Sequence, residues 1–301
     1  LRPPRRSSPN SRNSSPGETP LPVPLVLLFG VGILSTAAIL IRLAAAPAVT
    51  VACWRLLIAG AALAPWVRGR LSRRGRLLAG LAGLFLALHF GLWIESLRHT
   101  SVASSVVLVT TTPIFLGLWS LLRGEPVGRA LWQGIALSVV GGLLIGWEDL
   151  TLGGGAWRGN LLALGGAIAA SGYLVVGRQV RRHGSLLPYV ATAYGVGAGV
   201  LLGAGWAAGL PLLPREESWL WIVFLGLGPQ LVGHTSFNWA LRRLPAPAVA
   251  VAILGEPVGA ALWAFFLLGE EIAPLSGLGM GLVLVGVARV LWGGASPGRA
   301  S

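Results

Sequence analysis

Ten apolar runs, each long enough to cross a lipid bilayer, dominate the 301-residue sequence and leave few folds open to it. They fall near residues 23–43, 48–67, 77–98, 101–122, 130–147, 159–178, 187–209, 218–241, 246–268 and 275–292. A helix needs about 20 mostly apolar residues to span the hydrocarbon core. Within lipid, only helices and closed barrels satisfy their own backbone polar groups. These runs are continuous rather than short stretches of alternating polarity, which selects the helix over the barrel. The expected fold is an all-α membrane protein with ten transmembrane helices. With 54% of residues hydrophobic and 11% charged, the chain is far more apolar than a soluble domain.

Little is left over outside the spans. Residues 1–20 are rich in Pro, Ser, Asn and Arg and carry too little apolar surface to offset the entropy of folding, so a disordered basic cytoplasmic tail is expected there. Residues 293–301 would form a short cytoplasmic C-terminal tail. The first run is followed by nine more rather than by a soluble body, so it does not read as a cleaved signal. All 23 basic residues are arginine; with no lysine, a P-loop and a Schiff base are excluded. There is no His-Glu-x-x-His, no Gly-x-Ser-x-Gly and no Cys/His cluster, so metal hydrolysis and serine chemistry lack their groups. The chain does not read as an enzyme, and no cofactor or metal is expected. One cysteine, Cys53, allows no internal disulfide.

The formal charge of +13 would suggest a nucleic-acid partner in a soluble protein. Here the arginines flank apolar runs and mark orientation instead, so the expected surroundings are the bilayer and no nucleic acid. Eighteen arginines lie in the N-terminal tail, the even-numbered loops and the C-terminal end; four (Arg42, Arg98, Arg158, Arg215) lie on the other face, and Arg55 falls inside the second run. Both termini should therefore be cytoplasmic.

Sliding the chain against itself by 144 residues places 97–119 on 241–263, so that Leu97-Arg98 meets Leu241-Arg242, Pro113 meets Pro257 and Trp119 meets Trp263. After a one-residue gap, Gly124-Glu125 meets Gly269-Glu270, Gly134 meets Gly279 and Gly141 meets Gly286. Two repeats, 22–147 and 159–292, each hold five runs. An odd number makes the second copy enter the membrane from the opposite side, giving two inverted five-helix repeats. Such repeats exchange between two conformations around a midplane site, the geometry of a secondary transporter working by alternating access.

In these features the sequence resembles the EamA-like branch of the drug/metabolite transporter superfamily, over about residues 22–292. The resemblance rests on Trp93 to Arg98 ending the third helix, with Phe237, Asn238, Trp239, Ala240 and Leu241 in the eighth, where Phe replaces Trp. It rests further on mid-helix Pro113 and Glu256-Pro257, on Gly124-Glu125 and Gly269-Glu270, and on glycine-rich fifth and tenth helices. It implies efflux of small metabolites, often amino acids or related amphipathic compounds, across a bacterial inner membrane.

Glu256, in the middle of the ninth run, is the strongest single candidate, because an intramembrane carboxylate usually faces an aqueous cavity or a partner. It suits a proton site or a contact for a substrate amine, against a structural bond at the Pro257 kink. His89 can switch charge near neutral pH, and Trp93, four residues on, shares its helix face. Gln230 and His234 have the same spacing and are expected to point into one cavity. Thr111, among the threonines before Pro113, either satisfies freed backbone or meets substrate; Ser171 and Tyr173 are further cavity candidates. Arg55 and Glu95 lie at similar depth and are expected to pair, as a gate or a structural ion pair. Glycine stripes (Gly195, Gly199 and Gly203; Gly142 and Gly146; Gly277 and Gly281) suit close helix contact inside the bundle or in a homodimer. A small-molecule exporter, with proton exchange at Glu256 or His89, is the leading reading, a passive facilitator of the same fold is the alternative, and an integral-membrane enzyme comes behind both.

Overall fold

Apolar segments that must close their own hydrogen bonds become helices, and the computed structural model contains helices and no strand among the described residues. It describes residues 22–100, 102–125, 127–145, 147, 157–269 and 271–293. The tail 1–20, Gly146, Glu148, Asp149, Glu270 and residues 294–301 lie outside the described residues.

Among the described residues, nine helical rods are long and apolar enough to cross a membrane. The first is α1 (Val23–Leu34) and α2 (Ala37–Ala44), joined through a tight turn at Ser35 and Thr36; the next are α3 (Ala48–Leu63) and α4 (Arg73–Ser96). The fourth pairs α5 (Val102–Val109) with α6 (Thr112–Leu122). A shorter apolar helix, α7 (Arg129–Ile145, 17 residues), occupies the place of the fifth expected span. After it come α8 (Trp157–Arg181) and α9 (Leu186–Ala207). The next rod runs through α10 (Trp219–Leu225), a π-helical stretch Gly226–His234 and α11 (Thr235–Ala240). Then α12 (Ala246–Ile253) abuts α13 (Glu256–Leu268), and α14 (Pro274–Gly293) ends the bundle.

The interruptions have local causes. Pro113 cannot donate to the carbonyl of Val109, and the Thr112 hydroxyl donates to that carbonyl at 2.9 Å instead. Pro257 stands one residue into α13, after the turn at Leu254 and Gly255. Pro229 removes a donor in the middle of its rod, and there the bonding widens from the α to the π pattern.

Small residues let the helices of the bundle approach closely where they cross, and many large apolar side chains cover its outer surface, as packing without a hydrophobic drive between helices requires. Leu28, Phe29, Leu77, Leu122 and Phe266 face outward. A Cβ on Gly83 of α4 would lie 2.6 Å from the Ala193 carbonyl of α9, so only glycine lets these helices meet as they do. α7 and α14 approach as closely: a Cβ on Gly141 would stand 2.5 Å from the Gly279 oxygen, and one on Gly134 2.8 Å from the Gly286 oxygen. Two of the expected stripes do not serve inside the chain, while of the third Gly142 is buried and Gly146 lies outside the described residues. Added Cβ atoms at Gly195, Gly199, Gly203, Gly277 and Gly281 would meet nothing within 4 Å, because these residues lie on outward-turned faces.

Candidate functional site

Where the broken rods meet α4 and α8, a narrow cavity of about 50 Å³ lies within the bundle. That is room for a few water molecules and not for an amino acid. Its wall combines apolar residues (Leu34, Val109, Leu174, Phe237, Ala250, Ile253) with His89, Trp93, Thr110, Thr112, Tyr173, His234 and Glu256. The helix breaks supply two of these: Thr112 opens α6 and Glu256 opens α13.

Glu256 is 5% exposed, and its carboxylate has no hydrogen bond or ion pair among the described residues. The Arg55 charge acts on it from beyond ion-pair distance. His89 bonds through Nδ1 to the Gly166 carbonyl of α8 at 3.0 Å. A carbonyl only accepts, so in the neutral ring Nδ1 carries the hydrogen and Nε2 is left as the basic atom. The ring lies parallel to Trp93, centroids 5.9 Å apart, which fixes its plane. His234 makes edge contacts with Phe90 (5.2 Å) and Phe237 (5.9 Å). Tyr173 accepts a 2.6 Å hydrogen bond from Asn238 Nδ2, which also donates to the His234 carbonyl at 2.8 Å. Asn238 therefore ties α8 to the end of the π-helical stretch.

Of the eight candidate substrate contacts, the cavity collects Glu256, His89, Trp93, His234 and Tyr173. The other three lie elsewhere. Thr111 turns its hydroxyl back to the Leu108 carbonyl at 2.7 Å, and Thr110 and Thr112 line the wall instead. Ser171 donates to Ala167 at 2.9 Å and to Thr112 at 3.4 Å, fastening α8 to the break in the fourth rod. Gln230 does not share the chamber with His234: π winding changes the rotation per residue, and Gln230 accepts a bond from Arg55 Nε at 3.0 Å.

The expected pair of Arg55 and Glu95 does not form. Arg55 is fully buried, with its guanidinium 4.0 Å from the centre of the Phe90 ring. Glu95 stays near the helix end, bonding His99 at 3.0 Å and reaching Arg98 at 4.0 Å on its own turn. Arg55 is turned into the bundle toward Gln230 and Phe90, whereas Glu95 is partly exposed with its own neighbours. The sequence pattern does not single out Asn238, Phe90 or Tyr194, whose hydroxyl donates to the Gln230 carbonyl at 3.3 Å; a buried amide in mid-span is the signal that could have marked Asn238. Among the described residues, no three His, Cys, Asp or Glu side chains gather to hold a metal ion.

Apolar rods packed around a small buried chamber with ionisable groups on its wall define a multi-pass membrane protein. Residues 22–147 and 157–292 match the EamA-like transporter family, and the chain belongs to that family of membrane transporters. An uncharacterized transporter of Archaeoglobus fulgidus is 26% identical over 263 residues, covering 85% of this chain and 91% of that one. The uncharacterized transporter YwfM of Bacillus subtilis is 25% identical over 78% of this chain and 81% of its own. The uncharacterized inner membrane transporter YedA of Escherichia coli is 28% identical over 73% of this chain and 72% of its own. A solved crystal structure superposes with a TM-score of 0.73 at 19% identity, over 89% of this chain and 95% of the other, which shows a shared fold.

Proposed function

We propose that the chain is a secondary exporter of small amphipathic metabolites such as amino acids. In this reading it has ten transmembrane helices in two inverted five-helix repeats, and both termini lie on the cytoplasmic side of a bacterial inner membrane. The observation that carries the function is Glu256: a buried carboxylate at a helix break, on a chamber wall, without a bonded partner among the described residues. Such a group is costly in a membrane and is kept where it takes a proton or a cationic substrate group. His89, with Nε2 free to be protonated, is the second proton candidate.

The contact between α7 and α14 supports the inverted arrangement. By the repeat offset, Gly134 corresponds to Gly279 and Gly141 to Gly286. Gly134 packs on Gly286 and Gly141 on Gly279, so exchanging each residue for its counterpart turns one contact into the other, as a two-fold axis requires. Ser138 donates to the carbonyl of Val283, its own counterpart, close to where that axis would pass. The same logic pairs Thr112 with Glu256 through Pro113 and Pro257. Where the first half carries a hydroxyl that cannot ionise, the second carries a carboxylate that can.

Flux of radiolabelled amino acids from proteoliposomes, with and without an imposed pH gradient, tests the reading. Gradient-driven flux that Glu256→Gln abolishes while the protein stays folded is the expected result. Flux that ignores the gradient would assign the chain to the passive facilitators, and flux and stability both insensitive to Glu256→Gln would remove the carboxylate from the mechanism.

A further inference from the structure

Behind the chamber wall lies a cluster of hydrogen-bond donors with nothing to donate to. Arg55 on α3 and Gln230 on the π-helical stretch are both fully buried. Arg55 Nε uses Gln230 Oε1. The two terminal guanidinium nitrogens of Arg55 and Nε2 of Gln230 have no partner. A buried donor without an acceptor is costly, and a buried cation more so. The Phe90 ring offsets part of the charge from one side and also contacts His234 on the chamber wall. One aromatic layer thus separates the donors from the cavity.

Charge on the approaches has the same sign. On one face, a cavity of about 520 Å³ is lined by Arg42, Arg98 and Arg215, three of the four arginines on the arginine-poor side. On the opposite face, a cavity of about 730 Å³ is lined by Arg70, Arg74, Arg123, Arg178 and Arg182, with Glu125 as its carboxylate. Arg123 is paired with Glu125 and Arg98 with Glu95, and the excess of arginine in both cavities still favours anionic ligands.

We propose that the unmet donors of Arg55 and Gln230 form an anion subsite that receives the carboxylate of the transported compound when the Phe90 and His234 rings move aside. A guanidinium fork and an adjacent amide match the planar, acceptor-only geometry of a carboxylate. The proposal rests on the exporter reading and narrows it: with Glu256 available to an ammonium group, the substrate class is the zwitterionic amino acid rather than the amphipathic cation.

The test uses the full chain in proteoliposomes loaded with mixed radiolabelled L-amino acids. Each unlabelled amino acid competes against its own carboxamide, which keeps the amine and loses the carboxylate charge. Competing acids should outperform their amides by about ten- to a hundredfold, the range of one charged hydrogen-bonded contact. Gln230→Glu, which gives Arg55 an internal carboxylate, should erase the difference. Equal competition by acid and amide with flux intact overturns the subsite and leaves the exporter standing. If no labelled amino acid moves, the amino-acid reading fails, and a second measurement still decides the subsite. The unfolding temperature of the wild type should rise with acetate and not with acetamide at matched ionic strength, with no rise in Gln230→Glu. No acetate-specific rise in the wild type overturns it.

Discussion

Replacing Gly141 by Ala tests the packing of α7 on α14 directly. The new Cβ would lie 2.5 Å from the Gly279 oxygen and 2.8 Å from the Val283 nitrogen, where ordinary contact begins at 3.4 Å. Backbone atoms on the far side cannot rotate away, so the helices must separate by about 0.9 Å at this point. Overpacking of this kind costs about 1–3 kcal/mol. It outweighs the gain of about 0.5–1 kcal/mol that alanine brings over glycine within a helix. The neighbouring Gly142 is the control, since its Cβ would meet only Val107 at 4.0 Å and Gly142→Ala should be neutral or stabilising. Denaturant unfolding of the purified protein in detergent micelles reads both. Adding Gly279→Ala to Gly141→Ala should cost less than the two single changes together, because the first has already opened the gap. If Gly141→Ala unfolds no earlier than Gly142→Ala, the backbone contact is wrong, and with it the two-fold argument built on that contact.

Three further outcomes follow from the same geometry. Tyr173→Phe removes one acceptor from Asn238, which keeps its bond to His234, so a loss of about 1 kcal/mol is expected in the same unfolding assay; a neutral result would mean the bond is not formed. Pro229→Ala restores a donor and should return the π-helical stretch to α winding, turning His234 relative to the chamber; flux should fall with no loss of stability, and undiminished flux would separate the π winding from transport. Cys53, the only cysteine in the sequence, is 1% exposed beside the Ala198 carbonyl, so maleimide should label the folded protein far more slowly than the unfolded one; equal rates would contradict the packing of α3 on α9.

Hydropathy placed the rods, because apolar length is what a bilayer selects, and the prolines marked where two of them break. Several helices run past their apolar limits: α4 begins at Arg73 and α8 ends at Arg181, since long arginine side chains can reach the interface from an intact helix. The mid-span ionisable groups Glu256, His89 and His234 were visible as candidates because each is rare inside a membrane. Rotation was not legible. In a helix apolar all round, nothing in the pattern says which face looks inward, so Arg55 could be given a depth but not a direction. For Gln230 the difficulty was winding: a four-residue spacing assumes α geometry, and Pro229 takes that stretch out of it.

The chamber's narrowness bears on the cell's energy supply. A passage continuous with water on both sides would let protons run down their gradient whether or not cargo was carried. A space with room for only a few waters, its wall including the apolar Leu34, Val109, Phe237 and Ile253, would hold back a wide column of water in this conformation. Any leak conductance would then be limited to the moments when the rods move.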